Sequence, residues 1–147
     1  EHRKSFFADI EINSEVMRVF NLHLPLTYPH QRMGDLIRTM SHYDPKQKTI
    51  VCGDFNILDT FYISLLNWLL GGHIMDWIWY RRERISMEKY FRMLHLQNPL
   101  RRQVTHPVSQ SQLDHILVLE QAKVISASVI HDCHGSDHCP LRVEAEL

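Results

Sequence analysis

A four-residue apolar run, Thr49-Ile50-Val51-Cys52, stops at Gly53 and gives way at once to the polar cluster Asp54-Phe55-Asn56. An unbroken apolar run this short, closed by glycine, reads as a buried strand with other elements packed over it. Gly53 lets the backbone turn sharply where the strand ends. The rest of the chain supplies the covering layers. Residues 5–12 and 15–24 are β-rich and separated by Asn13-Ser14, which predicts an antiparallel hairpin. Pro25 and Pro29 end its second strand. Over 29–42 the apolar residues Met33, Leu36, Ile37 and Met40 recur at three- and four-residue steps, an amphipathic helix. Asp44-Pro45 turns the chain into the buried strand.

A second periodic helix is expected over 81–96, then an irregular stretch over 97–110 broken by Pro99 and Pro107. Strands are expected over 112–119, 122–131 and 141–146, with a polar loop over 132–140. Long strands with helices between and after them suggest a layered sheet domain, α/β or α+β. At 147 residues, with no repeat and no linker, the chain reads as one unit.

Composition removes several classes. The chain is 44% hydrophobic and 22% charged, enough apolar surface to offset ordering entropy, which argues against disorder. Sixteen Lys and Arg against seventeen Asp and Glu leave a formal charge of -1, so no whole-molecule basic field attracts nucleic acid. A local patch stays open, with Arg81, Arg82, Arg84, Arg101 and Arg102 close together; a solvated helix face is the preferred reading of it. Residues 61–80 are nearly all apolar and about long enough to cross a bilayer. They contain Asn67, His73 and Asp76 and a Gly71-Gly72 break, so the reading is a buried helix over 60–70, a glycine turn and a short apolar segment. Trp68, Trp77 and Trp79 with Tyr62 and Tyr80 then belong to the core rather than to a base-stacking platform. Cys52, Cys133 and Cys139 read as reduced thiols of a cytosolic-type protein, with a Cys133–Cys139 pair left open. The chain opens on Glu1 without a cleavable leader, so it is expected to be a processed product or a fragment.

Four polar clusters sit at strand ends, where a rigid sheet holds functional groups in loops. They are Asn21-Leu22-His23-Leu24, Gly53-Asp54-Phe55-Asn56, Leu113-Asp114-His115-Ile116 and Gly135-Ser136-Asp137-His138-Cys139-Pro140. In an extended stretch Asp54 and Asn56 face the same way, a carboxylate and a carboxamide suited to a hard cation or a phosphate-bound water. The plain alternative is that they make the turn. Asp114 interrupts an apolar strand and needs a partner, either a structural Arg or an imidazole that it orients. Eleven histidines are many, and His138 beside Asp137 suits proton transfer or metal ligation. His42, His73, His95, His106 and His115 read as structural or surface residues.

Taken in this order and spacing, the four clusters resemble the exonuclease–endonuclease–phosphatase superfamily, the fold of pancreatic deoxyribonuclease and apurinic endonucleases. The resemblance runs from about residue 6 to 147 and covers the C-terminal half of a two-sheet, helix-flanked domain. It implies hydrolysis of phosphodiesters or phosphomonoesters with Mg²⁺ or Mn²⁺. Carried over, Asp54 and Asn56 position or deprotonate the attacking water. His138 meets the scissile phosphate or acts as base, and Asp114 orients it as imidazolium. Asp137 lies beside the metal, as do Asp54, Asn56 and His138. His23 contacts the substrate phosphate or protonates the leaving oxygen, and Asn56 also holds the phosphate.

The family's principal metal-binding Glu belongs to the N-terminal half, and Glu11 and Asn13 stand in the wrong place to replace it. The expectation is a weakly active or inactive chain whose sheet has an uncovered face or edge. Nucleic acid, nucleotides and lipid head groups all remain as substrates, and no protein partner is inferable. Two other classes compete. His131, Cys133, His134, His138 and Cys139 crowd one loop and could make a zinc module, although no C-x2-C spacing is present. A non-catalytic binding relative would carry broken site residues, and those of this half are intact.

Overall fold

Asn13 and Ser14 both adopt left-handed backbone, with φ of 51° and 65°. That is the two-residue turn whose twist matches the strands it joins. It pairs β1 (Phe6–Ile12) with β2 (Glu15–His23) from Ile12↔Glu15 out to Phe6↔Asn21. The computed structural model describes residues 5–26, 29–58, 60–78 and 80–147. After β2 come α1 (Pro29–Met40), β3 (Lys48–Asp54), α2 (Phe61–Leu69), α3 (Ile74–Ile78), α4 (Tyr80–Met93), β4 (Leu96–Gln97), β5 (Asp114–Leu119), β6 (Lys123–Val129) and β7 (Leu141–Glu146).

A five-stranded sheet runs in the order β1-β2-β3-β5-β4, and β6 and β7 form a separate pair. β2 and β3 are parallel, which demands a crossover, and α1 is that crossover. Pro29 opens it, where a missing N–H costs nothing. The other pairings in the large sheet are antiparallel. Alternation along the strands sends Phe20, Leu22, Val51 and Leu117 to one core with Leu36, Met40, Phe55, Met87 and Phe91. Full burial of such side chains contributes about 1.5–3 kcal/mol each. Val143 of β7 packs against this core and also against a smaller cluster of Leu100, Val129 and Cys139, joining the two.

One polar pair lies deep in the packing. Arg32 of α1 is fully buried and makes a two-point ion pair with Glu83 of α4, at 2.6 and 2.7 Å. Its other nitrogen donates to the carbonyls of Pro25 and Leu26. The fork geometry satisfies the guanidinium well enough for burial.

Four expectations need correction. α2 is not buried. Ser64 is its one buried residue, while Leu69 and Leu70 are 66% and 79% exposed. α2 packs on α3, with Trp68 stacked on Trp77 at 5.5 Å, and among the described residues none of its side chains belongs to the main core cluster. Among the described residues no helix is long and apolar enough to cross a membrane. Trp79 and the side chains of Asp76 and Tyr80 lie outside the described residues. Second, Cys133 and Cys139 form a disulfide, and Cys52 is the free thiol. A loop turning through Gly135 (φ 81°) brings their Cα atoms to 4.4 Å. The bridge removes the argument from reduced thiols to a cytosolic setting. It also takes two of the five ligands of the zinc module. Third, Arg84 is no solvated side chain: it reaches the Gln112 carbonyl at 2.7 Å and the buried His115 at 2.8 Å. With Arg81, Arg101 and Arg102 it lines a cleft of about 530 Å³. Fourth, α1 ends at Met40, two residues early, and α4 ends at Met93 because Leu96 is taken into β4. The expected uncovered edge is present: β1 ends the sheet, and all seven of its residues are exposed.

The disulfide closes a short loop, and its loss should cost about 2 kcal/mol through the freed unfolded chain. Cys133→Ser is therefore expected to lower the denaturation midpoint, and a reductant to do the same to the wild type. An unchanged midpoint in both would show that the bridge does not stabilise the fold.

Candidate active site

Three neighbouring strands place one polar rung across the sheet. His23 pairs with Asp54, and Asp54 pairs with Asp114. The next rung is Leu22, Gly53 and His115, and the Leu22 and His115 side chains face the other way into the core. Period-2 alternation thus separates the catalytic-type residues from the buried ones. Gly53 sits in that inner rung at φ 128°, where a Cβ would lie 2.0 Å from the Leu22 carbonyl oxygen. Glycine is the residue that lets β3 approach β2 so closely beside Asp54.

Asp54 does not share an extended face with Asn56, as the sequence reading expects. The strand ends at Asp54, and Asn56 adopts a left-handed conformation with φ 52°. Its N–H donates to Asp54 Oδ1 at 2.8 Å, an Asx turn. Its side chain is buried and donates through Nδ2 to the Leu24 carbonyl at 2.8 Å. Turn-making and site-building are the same set of contacts here. Burial raises the Asp54 carboxyl above its ordinary range, and the neighbouring Asp114 adds to this. The Asn56 N–H, His138 and His23 act against it without cancelling it. His23 Nε2 stands 3.8 Å from Asp54 Oδ2 on the exposed side.

The fourth cluster arrives by its loop. His138 Nδ1 lies 2.7 Å from Asp114 Oδ2. Burial disfavours the imidazolium, but the bond to Asp114 and the charges of Asp114, Asp54 and Asp137 outweigh it, so His138 titrates above its usual range. This is a carboxylate holding an imidazole in one orientation and favouring its charged form. His115 is the opposite case: wholly buried beside Arg84, it is pushed down to about 3 and stays neutral.

Two residues near the rung escape the sequence reading. Thr105 is fully buried, and its hydroxyl donates to Asp114 Oδ2 at 2.9 Å while accepting the N–H groups of Leu113 and Asp114 at 3.0 Å each. It fixes the carboxylate that fixes His138. Nothing in a Thr nine positions upstream, in a stretch read as irregular, signals that task. His106, read as structural or surface, lies beside His138 with ring centroids 4.9 Å apart. Asp137 is exposed, 3.8 Å from His106 Nε2. Of the predicted site residues, His23, Asp54, Asn56, Asp114 and His138 gather around β2, β3 and β5, and Asp137 flanks His138 from the loop.

A family model described as endonuclease-reverse transcriptase matches residues 17–142 and spans all four clusters. The chain belongs to that family.

Solved structures agree on the fold of this chain. An endonuclease/exonuclease/phosphatase from Beutenbergia cavernae DSM 12333 matches at TM-score 0.69 and 16% identity, over 99% of this chain and 39% of that one. An AP endonuclease from Archaeoglobus fulgidus matches at TM-score 0.59 and 16% identity, over 96% and 65%. An endonuclease/exonuclease/phosphatase family protein from Leptotrichia buccalis C-1013-b matches at 0.57 and 16%, over 100% and 62%. Curated proteins yielded no match. The resemblance carried by the four clusters therefore holds for family and fold. This family member spans 39% to 65% of the length of those three structures.

Proposed function

We propose that this chain carries the phosphate-facing part of a divalent-metal-dependent phosphoesterase site that cleaves phosphodiester bonds in the manner of a nuclease. The observation that supports this best is the rung of Asp54 and Asp114 with His138 held at 2.7 Å by Asp114 Oδ2. It unites a carboxylate able to take a proton with an imidazolium able to face a phosphate.

The donor set fits a hard cation in kind. Asp54 and Asp114 are adjacent, and the repulsion between them that raises Asp54 is what a cation would relieve. Asp54 would hold Mg²⁺ or Mn²⁺, with Asp114 beside it and Asp137 at the loop, while the Asn56 N–H steadies the Asp54 carboxylate. When bound, such an ion offsets negative charge on the phosphate and lowers the pKa of water. Binding is weak: among the described residues no three carboxylate, imidazole or thiol groups converge around Asp54, and Mg²⁺ then keeps several waters.

The chain's own residues do the rest. Asp54, with its raised affinity for protons, accepts one from the attacking water more readily than an exposed carboxylate. His138 offers a charged donor to the phosphate oxygens, and Asp114, pinned by Thr105, keeps the ring in place. His23, on the exposed side of the rung, meets the departing or flanking phosphate.

The reading is tested with abasic DNA, RNA, nucleotides and phospholipids in the presence of Mg²⁺. The 147-residue chain should turn over slowly or not at all, and a chain extended to the length of its solved relatives should hydrolyse a phosphodiester. Equal turnover by the two would show that the ligands in this chain suffice. No hydrolysis by either would overturn the proposal.

A further inference from the structure

His106, Asp137 and His138 each offer one ligand atom, and the three atoms lie within 4.8 Å of one another. They come from two segments that the fold clamps together. The Cys139 N–H donates to the Thr105 carbonyl at 2.8 Å, and Cys133–Cys139 closes the loop that carries Asp137 and His138. A β-bridge from His106 to Ser111 holds the other side.

Each imidazole already has its Nδ1 occupied. That of His138 meets Asp114 Oδ2 at 2.7 Å, and that of His106 meets the Ser109 hydroxyl at 2.7 Å. Nε2 is the nitrogen left to ligate in both. Outer partners of this kind orient metal-binding histidines and raise their basicity. Two imidazoles and one carboxylate form the donor set of a borderline transition ion, with a fourth position for water. Mg²⁺, which takes oxygen ligands, does not suit it.

We propose that His106, Asp137 and His138 form a zinc-type transition-metal site that overlaps the active site, so that an ion bound there withdraws the His138 imidazole from the phosphate. The metal site stands on the geometry alone; the inhibitory consequence rests on the phosphoesterase reading of His138. Affinity falls short of a structural zinc site, for two reasons. The Ser109 N–H also points at His106 Nδ1, at 3.1 Å, so ligation through Nε2 must move the ring proton to Nδ1 and give up that contact. Asp137, 71% exposed, must be ordered as well.

The 147-residue chain is titrated with Zn²⁺ against a chromogenic chelator, without substrate. One ion per chain is expected. His106→Ala and Asp137→Asn should each weaken it about tenfold or more, and His134→Ala, on the same loop, should leave it unchanged. Asp137→Asn alters an exposed residue without changing its shape, so it reports even if His106→Ala fails to fold. Undiminished binding in Asp137→Asn, loss of binding in His134→Ala, or no saturation by about 0.1 mM Zn²⁺ would each overturn the site. In an extended chain active with Mg²⁺, added Zn²⁺ should slow hydrolysis, and His106→Gln should need more of it. Stoichiometric binding without slowing would overturn the overlap. An extended chain with no activity would overturn the phosphoesterase reading and leave the zinc titration to stand.

Discussion

Asp54→Asn should lower kcat by about two to four orders of magnitude in a catalytically active, extended chain while leaving the fold as stable as the wild type or more so. The side chain sits at the end of a central strand, and its carboxyl is held above its ordinary range, first by burial and then by Asp114. A carboxyl whose folded-state value is raised favours the fold while it is protonated, at low pH. That contribution is lost as pH rises through the raised value, so ionised Asp54 costs stability at neutral pH. Asparagine has the same shape, carries no charge and can still accept the Asn56 N–H. Its stabilising effect should therefore be larger at pH 7 than at pH 4, shrinking as Asp54 takes up its proton. Denaturant midpoints at the two pH values measure this, and kcat measures the chemistry. A loss in kcat under about tenfold, roughly 1.4 kcal/mol, would remove Asp54 from the reaction. Stability gained with activity lost is the pattern of a site strained for function.

Gly53→Ala should prevent stable folding. A Cβ there would meet the Leu22 carbonyl oxygen at 2.0 Å and its N and C atoms at 2.8 and 2.9 Å. All three are backbone atoms in the register partner of Gly53, and the Leu22 side chain is buried in the core, so neither strand can yield cheaply. A φ of 128° adds strain of its own for any L side chain. The cost should exceed about 4 kcal/mol, against a total stability of about 5–15 kcal/mol for a domain. Circular dichroism and urea unfolding of the variant test it. A variant within about 1 kcal/mol of the wild type would mean that β2 and β3 do not approach as described. Gly71→Ala is the control: it too has positive φ, but nothing lies within 4 Å of its Cβ position.

The hairpin, α1 and the buried strand were legible because each is written in local pattern. Two turn residues take left-handed backbone, apolar residues recur at three and four, and an apolar run closes on glycine. His23, Asp54, Asp114 and His138 were legible because they stand at strand ends in an order that resembles a known family. α2 misled for a related reason. Its composition is that of a buried helix, yet burial depends on what packs over it, and in this fold α3 covers it only in part. Asn56 misled because two residues past a strand the extended geometry no longer holds.

The amino-acid sequence by itself determined most of the strands and helices, the family, and which polar clusters border the strands, since these follow from periodicity and from motifs only a few residues long. Tertiary structure alone decided that His23, Asp54 and Asp114 share one rung, that Thr105 pins Asp114, and that His106 faces His138. It also decided that Arg32 and Glu83 pair across 51 positions and that Cys133 closes on Cys139. Register and loop closure set those distances. Both are properties of how separate segments pack, and no local pattern encodes them.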